Sequence, residues 1–367
     1  MKAFLKRTTA CILALCVSVG IIFETSAAVY ATDYSSYSNE KVGWGLGLNK
    51  EHMTPSGNLP YEGFSLEEYD AYYVGDTSRK VIYLTFDCGY ENGNTPAILD
   101  TLKQYDIKAL FLVTEPFVRE NPNLVKRMKA EGHLVGNHTT THPILPDCDV
   151  ERLQEEVRGV EDAVREYAGF ELDKFLRPPT GAYSERALKV LQDMGYKTIL
   201  WSLAWYDWDV NDQPSISTVV SKFKNYYHNG MIPLMHNTSS GDTAALASVI
   251  DYMLSEGFVF ERLDSIFRSE PELSVFIPDM AFEGKTPHVD IRTNSSGEQK
   301  IRYYDKNKNL IEAPKKPGVY YARVDIDETA RHFASSCEYK FRITKTAPIA
   351  SKKLQSAAET PVFTEEE

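Results

Sequence analysis

The sequence predicts an α/β fold, a distorted (β/α) barrel with about seven parallel strands, followed by a small C-terminal β-sandwich. Three observations lead there. From Val81 onward, seven short apolar runs, "VIYLTF", "KALFLV", "HLVGNH", "KFLRPP", "KTILWSL", "MIPLMH" and "FVFERL", alternate with amphipathic segments of helical period. Such alternation implies parallel strands joined by right-handed helical crossovers, in either a barrel or an open doubly wound sheet, and the count of seven favours a barrel short of the usual eight. Polar clusters stand just after five of these runs, at the strand edge where parallel α/β folds assemble active sites. Beyond Pro271 the helical period disappears, and alternating runs separated by Asn, Gly and Pro turns take over.

Composition bounds the function. The chain has 367 residues, of which 43% are hydrophobic, enough for one large core and a small one. Its net charge of -12 excludes a general polyanion binder, so no nucleic-acid partner is expected. Lys2, Lys6 and Arg7, the apolar "ACILALCVSVGIIF" and the small residues of "SAAVYA" read as a secretory signal over residues 1–31, with extracytoplasmic localisation. The apolar run is short for a membrane span, so membrane attachment is expected only if the signal is retained as an anchor. Without that segment Cys88, Cys148 and Cys337 remain, an odd and sparse set that builds no disulfide framework, although a Cys88–Cys148 pair is compatible with the sequence.

The elements follow in order. Residues 32–77, rich in Tyr, Ser and Gly, form a lead-in that packs on the main unit at 78–268. The first helix has Pro96 in its opening turn and Ile98, Leu99, Leu102 and Tyr105 on one face. The next begins at Pro122, buries Leu124, Val125 and Met128, and stops at Gly132. A helix from about Val150 to Tyr167 presents Leu153, Val157, Val160 and Val164 before a stop at Gly169. Ser184 caps a fourth, with Leu188, Leu191 and Met194 inward and Gly195 as stop. "VDIRT", "QKIRYYDK", "GVYYARVDI" and "YKFRIT" read as the strands of a small β-sandwich at 271–345, whose "IRYYDKNKNLIEAPKKPGVYYARVDI" resembles immunoglobulin-like repeats of bacterial surface proteins, and 346–367 reads as a disordered tail.

The five clusters are Asp87-Cys88, "HTTTH", "RPPTG", "YDWD" and "MHN". His138 and His142, spaced i and i+4, face one divalent cation if they share a helical turn. Asp87 at the same edge is placed to take a proton from water. Arg177 enters a turn stiffened by Pro178 and Pro179, which suits it to orient a carboxylate such as Asp87. His236 is the second proton carrier, its tautomer held and its pKa raised by Asp207. These parts suit hydrolysis of an unactivated amide. They make a poor retaining glycosidase, which needs a close pair of carboxylates. Trp201, Trp205, Tyr206 and Trp208 are candidates to line a sugar groove, with Trp201 expected in the core.

In sequence order, "TFDCG", "HTTTH", "RPPTG", "YDW" and the His236 strand resemble the motifs of the polysaccharide deacetylases, the NodB-homology carbohydrate esterases of family 4. The resemblance covers residues 78 to 266. It implies Asp87 as base, His138 and His142 as ligands of a divalent metal such as zinc, Arg177 as orienter, Asp207 as support and His236 as acid. It also implies an oxyanion hole at the backbone N–H near Thr180. "FDCGYENG" and the upstream "GWGLGLN" are most similar to sporulation enzymes that de-N-acetylate muramic acid so that a muramic δ-lactam can form in spore cortex. The expected partner is then a peptidoglycan glycan strand whose stem peptides a muramoyl-peptide amidase has removed. The alternatives are a general N-acetylglucosamine deacetylase of chitin or peptidoglycan, and a non-catalytic glycan-binding wall protein.

One departure stands out. Cys88 occupies the position where the wider family has a second Asp as metal ligand, which the δ-lactam group also commonly lacks. Three readings of this thiol stay open from sequence: a buried space-filler, a metal ligand, and a nucleophile.

Overall fold

The computed structural model describes residues 33–49, 51–329 and 331–345, together with the strand Gln355–Ser356. The expected signal, with Cys11 and Cys16, lies outside the described residues. Among the described residues no helix is long and apolar enough to cross a membrane.

Seven parallel strands form the central sheet: β1 (Ala71–Tyr72), β2 (Thr85–Cys88), β3 (Leu110–Val113), β4 (Leu134–Asn137), β5 (Phe175–Leu176), β6 (Lys197–Ile199) and β7 (Leu234–His236). Their spatial order is β7-β2-β3-β4-β5-β6-β1. Beyond β6 the chain turns back toward β7, where Ser202 N–H donates to the Ile232 carbonyl at 2.9 Å and Leu234 N–H to that of Leu203 at 2.9 Å. The sheet therefore curls into the distorted barrel that the sequence predicts.

The count of seven holds, but its membership differs. "FVFERL" supplies only Val259–Phe260, which pairs with Val81–Ile82 in a separate two-stranded sheet. The seventh barrel strand comes from the lead-in, which also pairs Val42–Gly43 with Ala182–Tyr183. A two-residue strand in a polar segment leaves no apolar run to read.

Strand alternation sorts the core into two layers. Tyr83, Leu110, Leu112, Leu134, Phe175 and Ile199 fill the barrel interior. Leu84, Phe86, Cys88, Phe111, Val113 and Val135 pack outward against helices through Ile98, Leu102, Phe117, Val160 and Leu246. The helices follow the expected punctuation. Thr95–Gln104, Pro122–Ala130 and Val150–Ala163 begin and bury their faces as read, except that Leu124 is only half-buried and Tyr105, also half-buried, lies just past the end of the first helix. The third continues as a wider turn over Val164–Ala168 and ends on Gly169 at φ 82°, a conformation that favours glycine. The Ser184 hydroxyl caps Glu185–Asp193 by accepting from Ala187 N–H. Helices at Ile216–Tyr226 and Ser240–Ser255 complete the ring.

The C-terminal unit has a five-stranded and a three-stranded sheet, more strands than the four runs suggest. Leu273, Val275 and Ile277 of one sheet share a core with Ala322, Val324, Ile326, Phe341 and Ile343 of the other. Of the tail from Thr346 onward only Gln355–Ser356 is described, and it pairs with Ser274 and Val275.

Gly136 in β4 has no room for a side chain, because a Cβ there would lie 2.7 Å from the Phe175 carbonyl oxygen. Gly136→Ala is expected to lower stability by about 1–3 kcal/mol, the usual range for forcing an extra group into a packed core, read from the urea midpoint.

Candidate active site

Asp87 and His236 sit on neighbouring strands as direct register partners, so their side chains project from the same face at the barrel mouth. His138 follows β4 and Arg177 follows β5, while Asp207 comes from the long connection after β6. Together they surround a cavity of about 460 Å³ lined by Asp87, His138, His142, Thr180, Trp201, Trp208 and His236, among others. All six residues expected to carry chemistry meet here.

Arg177 is wholly buried and spends its guanidinium on four acceptors. Nη1 donates to Asp87 Oδ1 at 2.7 Å, Nη2 to Thr85 Oγ1 at 2.9 Å and the Leu200 carbonyl at 3.1 Å, and Nε to the Ile199 carbonyl at 3.0 Å. Burial alone would raise the pKa of Asp87, but the charge and hydrogen bond of Arg177, with the nearby His236, outweigh it and hold the carboxyl below its usual range. Oδ1 is thereby committed to Arg177. Oδ2 remains, 3.5 Å from His138 Nε2.

His138 Nδ1 lies 2.9 Å from the Arg177 carbonyl. A carbonyl only accepts, so Nδ1 carries the proton and Nε2 keeps its lone pair toward Asp87. Burial pushes the pKa of His138 down to about 4 and lowers that of His142, leaving both imidazoles neutral at physiological pH. Their ring centroids are 4.9 Å apart. The "HTTTH" segment is not a helical turn, however. Thr139 and His142 take left-handed conformations at φ 68° and 58°, and this looped path turns the second ring back toward the first. Positive φ at β-branched Thr139 is strained, and such strain is held only where surrounding structure over-determines it.

Glu156 supplies much of that support, which the sequence reading missed. Its carboxylate accepts from Thr141 N–H at 2.7 Å and Thr141 Oγ1 at 2.5 Å, while Arg152 pairs with it from the same helix. The signal was present: Glu156 falls between Leu153 and Val160 on the apolar face of its helix, where a carboxylate needs a partner.

On the opposite wall, His236 Nδ1 lies 2.8 Å from Asp207 Oδ1, and its backbone N–H donates to Asp207 Oδ2 at 2.9 Å. Burial works against the charged ring, but the Asp207 hydrogen bond and charge prevail and raise the pKa of His236. With Nδ1–H fixed on Asp207, Nε2 is the nitrogen available to the cavity. The arrangement thus lowers the pKa of Asp87 and raises that of His236, so that one can accept a proton and the other can donate one. The aromatic expectations are revised: Trp201 lines the cavity, Trp205 is buried, and Tyr206 and Trp208 are about half exposed, 49% and 51%.

Cys88 points the other way. One residue beyond Asp87 on the same strand, it is fully buried in the apolar layer between sheet and helices, its Sγ 3.8 Å from the Phe86 carbonyl. Burial pushes its pKa well up, so it is a neutral thiol. Cys88, Cys148 and Cys337 are all free, which removes the Cys88–Cys148 pairing. The donor set facing the cavity is therefore two neutral imidazoles. Among the described residues no third Cys, His, Asp or Glu joins them at ligand spacing, and Asp87 is already engaged by Arg177. That set fits a cation held by two nitrogens and solvent, not a closed structural site.

The fold and the paired acid and base define a barrel hydrolase that cleaves acyl groups with water. Comparison with known proteins narrows the class. A family model for polysaccharide deacetylases matches residues 74–199. An uncharacterized 30.6 kDa protein of Geobacillus stearothermophilus is 40% identical over 69% of this chain and 92% of its own length. The peptidoglycan-N-acetylmuramic acid deacetylase PdaA of Bacillus subtilis is 37% identical over 66% of this chain and 92% of its own. The solved structure of PdaA, a family 4 carbohydrate esterase, superposes with a TM-score of 0.60 at 38% identity, covering 62% of this chain and 97% of that one. The chain belongs to the polysaccharide deacetylase family.

The orientation of Cys88 makes a clear expectation. Cys88→Ala retains deacetylase turnover within about twofold and leaves bound metal unchanged, while stability falls by about 1 kcal/mol from a small core void. Loss of activity and metal together in a folded variant would restore the ligand reading.

Proposed function

We propose that this enzyme removes the N-acetyl group from muramic acid residues of peptidoglycan, freeing the amine that closes a muramic δ-lactam. The observation that carries the chemistry is the setting of Asp87 and His236 to opposite protonation states across one cavity. The choice of sugar rests on the similarity to PdaA, which is named for muramic acid. Action outside the cytoplasm, on glycan whose stem peptides an amidase has removed, follows from that choice of substrate.

Asp87 Oδ2 takes a proton from water as its oxygen attacks the acetyl carbonyl. The Thr180 backbone N–H, at the cavity lip where Thr180 is held at φ 58°, donates to the oxygen that becomes negative. His236 Nε2–H then protonates the nitrogen as the C–N bond breaks, releasing acetate and the free amine. Arg177 holds Asp87 ionised and aimed, and Asp207 keeps His236 charged. A divalent cation, held by His138 and His142, would polarise the same carbonyl and lower the pKa of the water. Trp201 and Trp208 offer faces against which a pyranose can stack.

Asp87→Asn, His138→Ala and His236→Ala are each expected to reduce acetate release from peptide-free glycan by at least 10²-fold, the low end of what a positioned acid or base contributes. Mass spectrometry of digested wall glycan locates the lost acetyl group. Its loss from glucosamine instead of muramic acid would replace the substrate with N-acetylglucosamine, and binding without acetate release would make the chain a glycan-binding wall protein. The pH profile follows from the two settings. Asp87 must be ionised and its pKa is lowered, so the acid limb falls below the ordinary Asp value. His236 must be protonated and its pKa is raised, so the alkaline limb lies above the ordinary His value.

A further inference from the structure

Behind His236 lies a carboxyl group that the chemistry above leaves unused. Asp242 is completely buried in the first turn of the helix Ser240–Ser255, and its side chain is in hydrogen-bond contact with that of Asp207, which is equally buried. Trp205 Nε1–H donates to Asp242 Oδ1 at 3.1 Å, while buried Oδ2 has no donor among the described residues. Each Asp207 oxygen accepts one hydrogen bond from His236, Oδ1 from Nδ1 and Oδ2 from the backbone N–H, and keeps a second lone pair for another donor. Two carboxylates cannot share a dry contact while both are charged, so one of them holds a proton. Asp207 receives both hydrogen bonds from His236, whereas Asp242 faces no cation.

We propose that Asp242 is a positioning residue that stays protonated through the working pH range and donates its proton as a hydrogen bond to Asp207, extending the His236–Asp207 pair into a three-membered relay. This rests on His236 being the acid of the proposed deacetylation. The consequence is a tuning of that acid. A hydrogen bond from Asp242 drains negative charge from Asp207, so Asp207 raises the His236 pKa less than a fully exposed carboxylate charge would. The acid is then strong enough to release its proton to the departing nitrogen. The other charged groups whose fields reach His236 are Asp87 and Arg177, and neither changes in this arrangement. The neighbours of Asp242 besides Asp207 are Trp205 and Ser239, both uncharged at working pH.

Asp242→Asn keeps a donor in place and Asp242→Leu removes it at similar volume. In the full-length enzyme, the Asn variant is expected to keep kcat within about threefold and an unmoved alkaline limb. The Leu variant is expected to lose roughly tenfold in kcat at unchanged KM, with its alkaline limb displaced upward by about half to one pH unit. Equal displacement in both variants, or none in a folded Leu variant, overturns the proposal. A direct reading needs neither turnover nor a stable variant: the side-chain carboxyl ¹³C resonance of Asp242 in the unmodified protein is expected to stay at the protonated position from pH 5 to pH 8, within which a free Asp is ionised. An ionised signal there sinks the relay even if deacetylation is confirmed, and a protonated signal without acetate release sinks the deacetylase reading alone.

Discussion

The buried pair of Arg177 and Asp87 is the constraint on which the rest of this site depends. A guanidinium with no solvent contact must find acceptors, and here four come from β2, through the Asp87 carboxylate and the Thr85 hydroxyl, and from the carbonyls of Ile199 and Leu200 at the end of β6. Arg177 therefore ties three separate strands of the barrel at their C-terminal edge. Truncating one partner of such a pair costs about 3–5 kcal/mol, because the other charge is left buried alone. Its backbone carbonyl is engaged as well, orienting His138. One residue thus fixes the base by its side chain and a candidate ligand by its main chain.

The acid and the base differ because their neighbours differ. Asp87 meets a permanent cation, which keeps it a carboxylate despite burial. His236 meets an anion, which favours its protonated form despite burial. Desolvation opposes both charged forms, so the outcome at each wall is decided by a single short contact of 2.7 or 2.8 Å. That dependence explains why each of the two groups is backed by a wholly buried charged residue, Arg177 or Asp207, that forms no other ion pair among the described residues.

What was legible in the sequence follows the length scale of each signal. The barrel and its five clusters could be read because each cluster directly follows an apolar run, and strand ends in such folds share an edge. Ala71–Tyr72 could not be read as a barrel strand, since two residues carry no period. Nor could the path of "HTTTH": i and i+4 spacing suggests a helical turn, whereas the structure reaches the same convergence through two left-handed residues and the Glu156 carboxylate. Asp242 and Glu156 escaped notice for a shared reason. Both lie on helices, where an acid is ordinarily a surface residue; Asp242, in a first turn, carries no contrary sign, whereas the place of Glu156 on the apolar face was readable and went unread.

The fate of Cys88 shows how strictly strand parity decides chemistry. Asp87 and Cys88 are adjacent in sequence, yet they belong to different layers of the molecule, one in the polar mouth and one in the apolar shell with Phe86 and Val113. No rotamer change brings a side chain from one face of a paired strand to the other, and slipping the strand by one residue would exchange all of its neighbours. An Asp introduced at this position would be buried without a partner in that shell, a cost that favours protonating it over ligating metal. Restoring the missing family carboxylate would thus require a change in the loop after β2, so that residue 88 leaves the ladder, and not a substitution alone. The apolar environment of residue 88, rather than the thiol itself, is what separates this site from one closed by a third protein ligand.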